Sequence, residues 1–225
     1  MGHTPHLFLP RPWPEAAIPI PAATSHHLLK VLRRDPETAV SYTDGAGHVG
    51  EGHLLENEVV RGGEQLVSPP PVPLTIAVAP PHEKDRLRFM VEKLAELEVR
   101  RILFLGTRFG DGRIPDQAKA AGWAVGALEQ SRGAWLMEVA TEWTEVGNLD
   151  PERVWYADQG GSVHPATLAA EVTIAIGPEG GWAEGEVPPG AFRLGLGRTV
   201  LRVETAAIVA AGMVRSRILG LTGNV

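Results

Sequence analysis

The 225-residue chain contains no cysteine. That excludes disulfides, thiolate nucleophiles and cysteine-based zinc sites, and makes a cytoplasmic location the default expectation. Lysine is nearly as scarce, with 4 residues against 17 arginines. Asparagine, glutamine and methionine are sparse too, while glycine (26) and proline (19) are plentiful. Two explanations fit this profile: a thermophilic protein that limits thermolabile residues, or a GC-rich genome that favours Arg, Ala, Gly and Pro codons. No apolar run reaches the length of a bilayer span, so no membrane partner is expected. The opening "MGHTPHLFLPRPWPEAAIP" lacks a charged n-region and has too many prolines for a signal peptide. A positive charge balance is also missing. The formal net charge is −6, and residues 1–73 (5 basic, 8 acidic) and 74–225 (16 basic, 19 acidic) each contribute −3. Bulk electrostatics therefore advertise no nucleic-acid partner, and binding one would need local basic patches.

What is present suffices for a packed core, since 44% of residues are hydrophobic. The length suits one large domain or two small ones. "SPPPVP" (68–73) is the clearest break, because its prolines block helix and central strand and make a stiff connector. Before it, Ala39–Tyr42, Val49–Leu54 and Gln65–Val67 read as strands, with turns at "TDGAGH" (43–48) and "RGG" (61–63), which predicts a small β-rich domain. "TSHHLLKVLRR" (24–34) predicts a helix capped by Thr24 or Ser25, with Leu28, Leu29 and Leu32 on its apolar face. After the break, "LTIAVA" (74–79) is continuously apolar, as in a strand buried on both faces. Residues 83–98 place Leu87, Met90, Val91, Leu94 and Leu97 at helical spacing. "RILFLG" (101–106) predicts a strand and "PDQAKAAGWAVGALEQS" (115–131) a helix with Pro in its first turn. "LMEVA", "VWYA", "VTIAI" and "FRLGLG" follow as strands, and a helix runs from about Glu204 to Leu219. Strands alternating with helices define an α/β class with a mostly parallel sheet.

Within this layer, "IGPEGGW" (176–182) follows a predicted strand. Ligands of parallel α/β sheets bind beyond the carboxyl ends of strands, and glycine admits positive φ and close approach of a ligand to the main chain. A plain turn is the competing explanation. No Lys-Ser/Thr follows as in a phosphate loop, and the dinucleotide pattern GxGxxG is absent. A second stretch, "LGLGRTVLRVETAAIVAAG" (194–212), gives a strand, a glycine turn, an apolar piece and a helix start with Glu204. On its own it reads equally as a strand-to-helix turn closed by an Arg202–Glu204 ion pair.

The two stretches together, "IGPEGGW" and "LGLGRTVLRVETAA", resemble the paired signatures of the ribosomal small-subunit RNA methyltransferase E family, within the SPOUT superfamily. "HHLLKVLRRDPE" (26–37), "VEKLAELEVRRILFL" (91–105) and "EQSRG" (129–133) resemble three more of its motifs, in order along the chain. The sequence departs from the pattern at Glu98, where the family usually has Gly, at His6, near a usual Arg, and at Val203, which replaces a usual Thr. Arg132 also follows Ser131 directly.

The resemblance implies a small N-terminal PUA-like or OB-like β-barrel over residues 1–70, for RNA binding. It implies a SPOUT α/β methyltransferase domain with a trefoil knot over 74–225. The implied reaction is methylation of N3 of a uridine in 16S rRNA, with S-adenosylmethionine as cofactor, by a homodimer acting on rRNA or an assembled 30S subunit. Residue by residue, Ile176, Gly177, Pro178, Glu179 and Gly180 would form one wall of the cofactor site, and Leu196, Gly197, Val200 and Leu201 the other. Arg202 is the candidate cation for a developing uracil anion. Glu179, or Glu204, could take a proton or orient that arginine. Arg11, Arg33, Lys93 and Arg132 are the candidate RNA contacts, alongside His27, Lys30 and Arg34. His3, His6, His26 and His27 have no carboxylate at ligand spacing, so no metal is expected. Three rival functions stay open: another knotted RNA methyltransferase acting on a ribose hydroxyl or a different base, a non-catalytic RNA-binding protein, and a nucleotide-binding enzyme.

Overall fold

The computed structural model describes residues 4–26, 28, 38–162 and 170–219. It divides into two compact units. One extends to Pro69 and also takes in Leu128–Leu136; the other comprises Pro70–Ala127 and the chain from Met137.

The first unit holds β1 (His6–Phe8), β2 (Ala17–Pro19), α1 (Ala22–His26), β3 (Ala39–Thr43), β4 (His48–Leu55) and β5 (Glu58–Leu66). They form a five-stranded sheet ordered β1-β3-β4-β5-β2. β1 pairs parallel to β3 and the other pairs are antiparallel. The β3–β4 turn lies where "TDGAGH" predicts it. Asp44 accepts the main-chain N–H groups of Ala46 (2.7 Å) and His48 (3.1 Å) on one oxygen, and the His48 ring (2.7 Å) and Arg11 Nε (3.0 Å) on the other. Side-chain capping of this kind is the reason Asp favours turns. Burial opposes ionisation of Asp44, but these donors outweigh it and hold the carboxyl below its ordinary range.

Two expectations in this unit fail. "RGG" (61–63) is not a turn, because β5 runs straight through it. A Cβ on Gly62 would sit 2.8 Å from the Glu51 carbonyl and one on Gly52 2.3 Å from the Val60 carbonyl, so these glycines allow two backbones to approach beside the register shift at Gly50–Gly52. The helix predicted over 24–34 starts earlier, at Ala22, with Pro21 accepting the Thr24 and Ser25 N–H groups. Ser25 is no cap, and its hydroxyl donates to the Glu56 carbonyl at 2.6 Å. The rest of that predicted helix, apart from buried Leu28, lies outside the described residues.

Segment 128–136 is stitched to this sheet. His6 bonds the Gly133 carbonyl (3.1 Å), the Phe8 N–H donates to Glu129 (2.9 Å), Gly47 N–H to Ala134 (2.9 Å) and Leu136 N–H to Gly45 (2.8 Å). The Gly133 carbonyl can only accept, so His6 Nε2 carries the hydrogen and Nδ1 faces Ser41 Oγ at 2.8 Å. His6 is thus a buried structural residue. Burial and the nearby Arg132 lower its pKa, against the raising effect of the Gly133 bond.

The second unit holds β6 (Leu74–Val78), α2 (Lys84–Glu96), β7 (Arg101–Gly106), α3 (Gln117–Ser131, whose last turn joins the first unit), β8 (Glu138–Glu145), β9 (Val154–Ser162), β10 (Val172–Ile176), β11 (Phe192–Leu194) and α4 (Val203–Ile218). Its six strands are all parallel, in the order β11-β9-β10-β6-β7-β8. Alternate residues of the apolar strands face opposite layers. Leu74, Ile76, Val78, Ile102, Phe104, Ile174 and Ile176 pack against α2 and α4. Ala77, Leu105, Tyr156 and Ala175 face Val146, Leu149 and Val187. The α4 face that meets the sheet is mostly alanine (Ala206, Ala207, Ala210, Ala211), which lets the helix lie close. α3 starts at Gln117 rather than at Pro115, because Asp116 accepts the Lys119 N–H at 2.9 Å. β8 extends well past the predicted "LMEVA", while β11 stops at Leu194, short of the predicted "FRLGLG".

Candidate cofactor site

From β6 the chain builds outward through β7 to β8, then crosses to β9, β10 and β11 on the other side of β6. The order reverses between β6 and β10, the kind of switch point where open parallel sheets leave a crevice beyond their carboxyl ends. The sequence places "GPEGGW" directly after β10 and "GLGRTVLR" directly after β11. Residues from these loops and from the middle of β9 (Ala157, Asp158, Gln159) line a cavity of about 350 Å³, within the roughly 300–1,000 Å³ of small-molecule sites.

All nine residues expected for a cofactor line this cavity: Ile176, Gly177, Pro178, Glu179, Gly180, Leu196, Gly197, Val200 and Leu201. Sequence reasoning missed Asp158, Gln159, Trp182 and Thr199, which line it as well. Asp158 and Gln159 sit in β9 just beyond the buried "VWY", so the rule that sites gather at the carboxyl ends of strands could have found them. Asp158 is ion-paired with Arg193.

The glycines serve different ends. A Cβ on Gly177 would stand 3.0 Å from the Trp182 indole, and one on Gly180 3.0 Å from Phe109, so packing within the unit already favours glycine at both positions. Gly197 has φ +144° with open space where a Cβ would be, a backbone state that side-chain-bearing residues rarely adopt. No backbone hydrogen bond engages residues 196–201 among the described residues, which leaves their N–H and C=O groups to a ligand or water. Ile176, Leu196 and Leu201 supply apolar wall, with Val203 and Ala206 of α4 beside them. Apolar faces with unpaired main-chain groups along one edge fit a planar heteroaromatic ring such as adenine.

The charged residues differ from the expectation. Arg202 is the exposed N-cap of α4 and forms no ion pair among the described residues. The Arg202–Glu204 pair does not form. Glu204 turns inward, and its Oε1 lies 3.8 Å from Arg86 Nε while its buried Oε2 has no hydrogen-bond partner among the described residues. Glu179 also faces Arg86, at 3.4 Å, so neither carboxylate orients Arg202. The reason is positional: the first turn of α2 brings a guanidinium to both.

The candidate RNA contacts are dispersed. Arg11 belongs to the first unit, held by Asp44 and stacked over Trp13 at 4.5 Å. Arg132 is in the same unit at φ +59° and donates to the Thr4 carbonyl at 3.1 Å. Lys93 is in the second unit on α2, bonded to Glu96 at 2.7 and 2.9 Å. Arg33, with His27, Lys30 and Arg34, lies outside the described residues. Among the described residues, no group of three His, Cys, Asp or Glu is placed to hold a metal, and no helix is long and apolar enough to cross a membrane.

Residues 68–215, more than half of the chain, match the family model of the RNA methyltransferase domain, and the chain belongs to that family. Its relatives narrow the class. It is 27% identical to the ribosomal RNA small subunit methyltransferase E of Synechocystis sp., over 90% of this chain and 74% of that one. It is 27% identical to the enzyme of the same name from Rickettsia conorii, over 87% and 89%. A crystal structure of the ribosomal RNA small subunit methyltransferase E from Neisseria gonorrhoeae, bound to S-adenosyl methionine, superposes with a TM-score of 0.82 at 22% identity, covering 96% of this chain and 98% of that one. The resemblance carried by the sequence motifs, to the small-subunit methyltransferase E family, stands on these relatives.

Proposed function

We propose that the protein methylates N3 of a uridine in 16S rRNA, using S-adenosylmethionine held in the cavity beyond β9, β10 and β11. One observation carries the reading: two separate loops expected to form the cofactor walls line the same cavity. In this reading residues 1–70 are a PUA-like or OB-like barrel that binds RNA. Residues 74–225 are a SPOUT domain whose loops form a trefoil knot. The enzyme works in the cytoplasm as a homodimer, on rRNA or an assembled 30S subunit.

When bound, S-adenosylmethionine supplies an electrophilic methyl group on a sulfonium that is already an activated leaving group. The protein's task is then positioning and charge control. Main-chain groups of 196–201 and of the 177–181 loop would hold the adenine edge, and Ile176, Leu196 and Leu201 would supply apolar contact to the ring. Uridine N3 is a poor nucleophile until its proton leaves. Arg202, exposed and without an ion pair among the described residues, offers donors to the charge that develops on the uracil oxygens. Glu179, a carboxylate in the cavity wall, is the candidate acceptor for the N3 proton. Arg11, Arg33, Lys93 and Arg132 contact RNA phosphates, and the present partners of Arg11, Lys93 and Arg132 are exchanged for phosphate on binding.

The test is methyl transfer. Protein, labelled S-adenosylmethionine and small ribosomal subunits lacking the modification are incubated, and the RNA is digested to nucleosides. Label in N3-methyluridine is the expected result. Label in another nucleoside moves the target, and none, with cofactor still bound, overturns the uridine assignment.

A further inference from the structure

Three carboxylates from three segments converge on Arg86. Its Nη2 lies 3.0 Å from Glu83, the residue before α2; its Nη1 lies 3.4 Å from Glu179 in the glycine loop; its Nε lies 3.8 Å from Glu204 in the first turn of α4. The two distant partners matter most. Glu179 sits in one wall of the cavity, and Glu204 follows the other wall, between the cavity-lining residues Val203 and Ala206. Both walls thus refer to a single guanidinium rooted on a helix that lines neither.

Arginine suits this place. Its planar fork presents several donors in fixed directions and stays charged, whereas a lysine ammonium is one point charge on a flexible stem. Glu204 is buried, and its Oε2 has no hydrogen-bond partner among the described residues. An uncompensated buried carboxylate is costly. The N-terminal end of α4 favours a negative charge, and Arg86 is the only cation paired with Glu204 among the described residues. Removing Arg86 leaves Glu204 free to turn outward and Glu179 free to swing, so both walls loosen together.

We infer that Arg86 is a positioning residue for the cofactor site, which acts through Glu179 and Glu204 by fixing the two walls against each other. The inference rests on the proposed function for what the cavity binds, but not for the role of Arg86 in holding it.

The experiment compares wild type, Arg86→Ala, Arg86→Lys, Glu83→Gln, Glu179→Gln and the double variant Arg86→Ala/Glu179→Gln. Hydrogen–deuterium exchange of peptides covering 176–182 and 196–205 is followed in cofactor-free protein, and S-adenosylmethionine affinity by calorimetry. Arg86→Ala is expected to speed exchange in both peptides and to weaken cofactor binding by about tenfold. Arg86→Lys should restore part of both, Glu83→Gln should leave both near wild type, and the double variant should bind as Arg86→Ala does. The midpoint of global unfolding should shift less than the affinity, since Glu83 and Glu179 are exposed and Glu204, at the start of α4, can turn outward. Unchanged exchange and affinity in Arg86→Ala would overturn the inference, as would strictly additive losses in the double variant. Should Arg86→Ala fail to fold, Arg86→Lys decides, with wild-type exchange in both walls counting against the clamp. A wild-type protein that binds no S-adenosylmethionine would sink the proposed function, while the exchange comparison would still judge Arg86.

Discussion

Trp182 donates its indole N–H to the main-chain carbonyl of Ala157 at 3.0 Å. The bond ties the end of the glycine loop, which follows β10, to β9, the strand that lies beside β10 in the sheet. The same ring stands edge-on to Tyr156, with centroids 5.6 Å apart. Trp182→Phe keeps most of the apolar contact and loses the bond. A net loss of about 1 kcal/mol of stability is expected, measured by urea unfolding. Calorimetry should find weaker S-adenosylmethionine binding as well, because the freed loop is a cavity wall.

Glu98 follows α2 at φ +54°, a position where glycine carries no steric cost. Its carboxylate is mostly exposed and lies 3.5 Å from Arg215, so that pair contributes little. The main-chain carbonyls of Leu97 and Glu98 accept from Arg215 whatever the side chain. Glu98→Gly is therefore expected to stabilise the protein by up to about 1 kcal/mol, visible as a raised unfolding temperature.

His6 titrates at lower pH in the native protein than in the unfolded chain. The native state takes up its proton later, so the stability His6 contributes is complete above about pH 6.5 and is lost as pH falls through the lowered native value. Unfolding midpoints measured from pH 8 to 5 should fall in wild type. His6→Gln should flatten that slope.

Glu129 behaves in the opposite sense. Burial raises its pKa, only partly offset by the Phe8 N–H that donates to it. Its contribution is complete below the ordinary glutamate value and is lost as pH rises through the raised native one. Glu129→Gln keeps an acceptor for Phe8 and removes the charge. The variant should be more stable than wild type at pH 7 and should lose that advantage near pH 4, in paired urea titrations.

Gly197→Ala tests the second wall. Backbone strain of roughly 1–3 kcal/mol is expected where φ is +144°. The loop is exposed and can relax locally, so the prediction is a loss of cofactor affinity larger than any fall in unfolding temperature.

Periodicity made the second unit legible. Leu74–Val78 and Val172–Ile176 are continuous apolar runs because both faces of a parallel strand are buried, and Leu87, Met90, Val91 and Leu94 mark one face of a helix. The place of the glycine loop was legible for the same reason, since loops after buried strands sit at one end of a parallel sheet, whereas the lining residue by residue, Leu196–Leu201 above all, came from the resemblance to the methyltransferase E family. The "RGG" of β5 was misread because a close approach of two backbones and a turn both select glycine, and only the strand opposite tells them apart. Arg86 gave no signal at all. In sequence it is one charge among several at a helix start, and its meaning comes from Glu179 and Glu204, which lie about a hundred residues away in the chain.

Leu128–Leu136 belongs to the first unit although most of the second unit's opening elements precede it. The donors and acceptors that await His6, Phe8, Gly45 and Gly47 are therefore made late. On the ribosome, the first unit must wait with part of its sheet unfinished until residue 136 has emerged, more than halfway along the chain. A gene cut at the proline-rich connector would separate the sheet from its own last piece. The prolines mark where the chain stiffens, and not where either unit is complete.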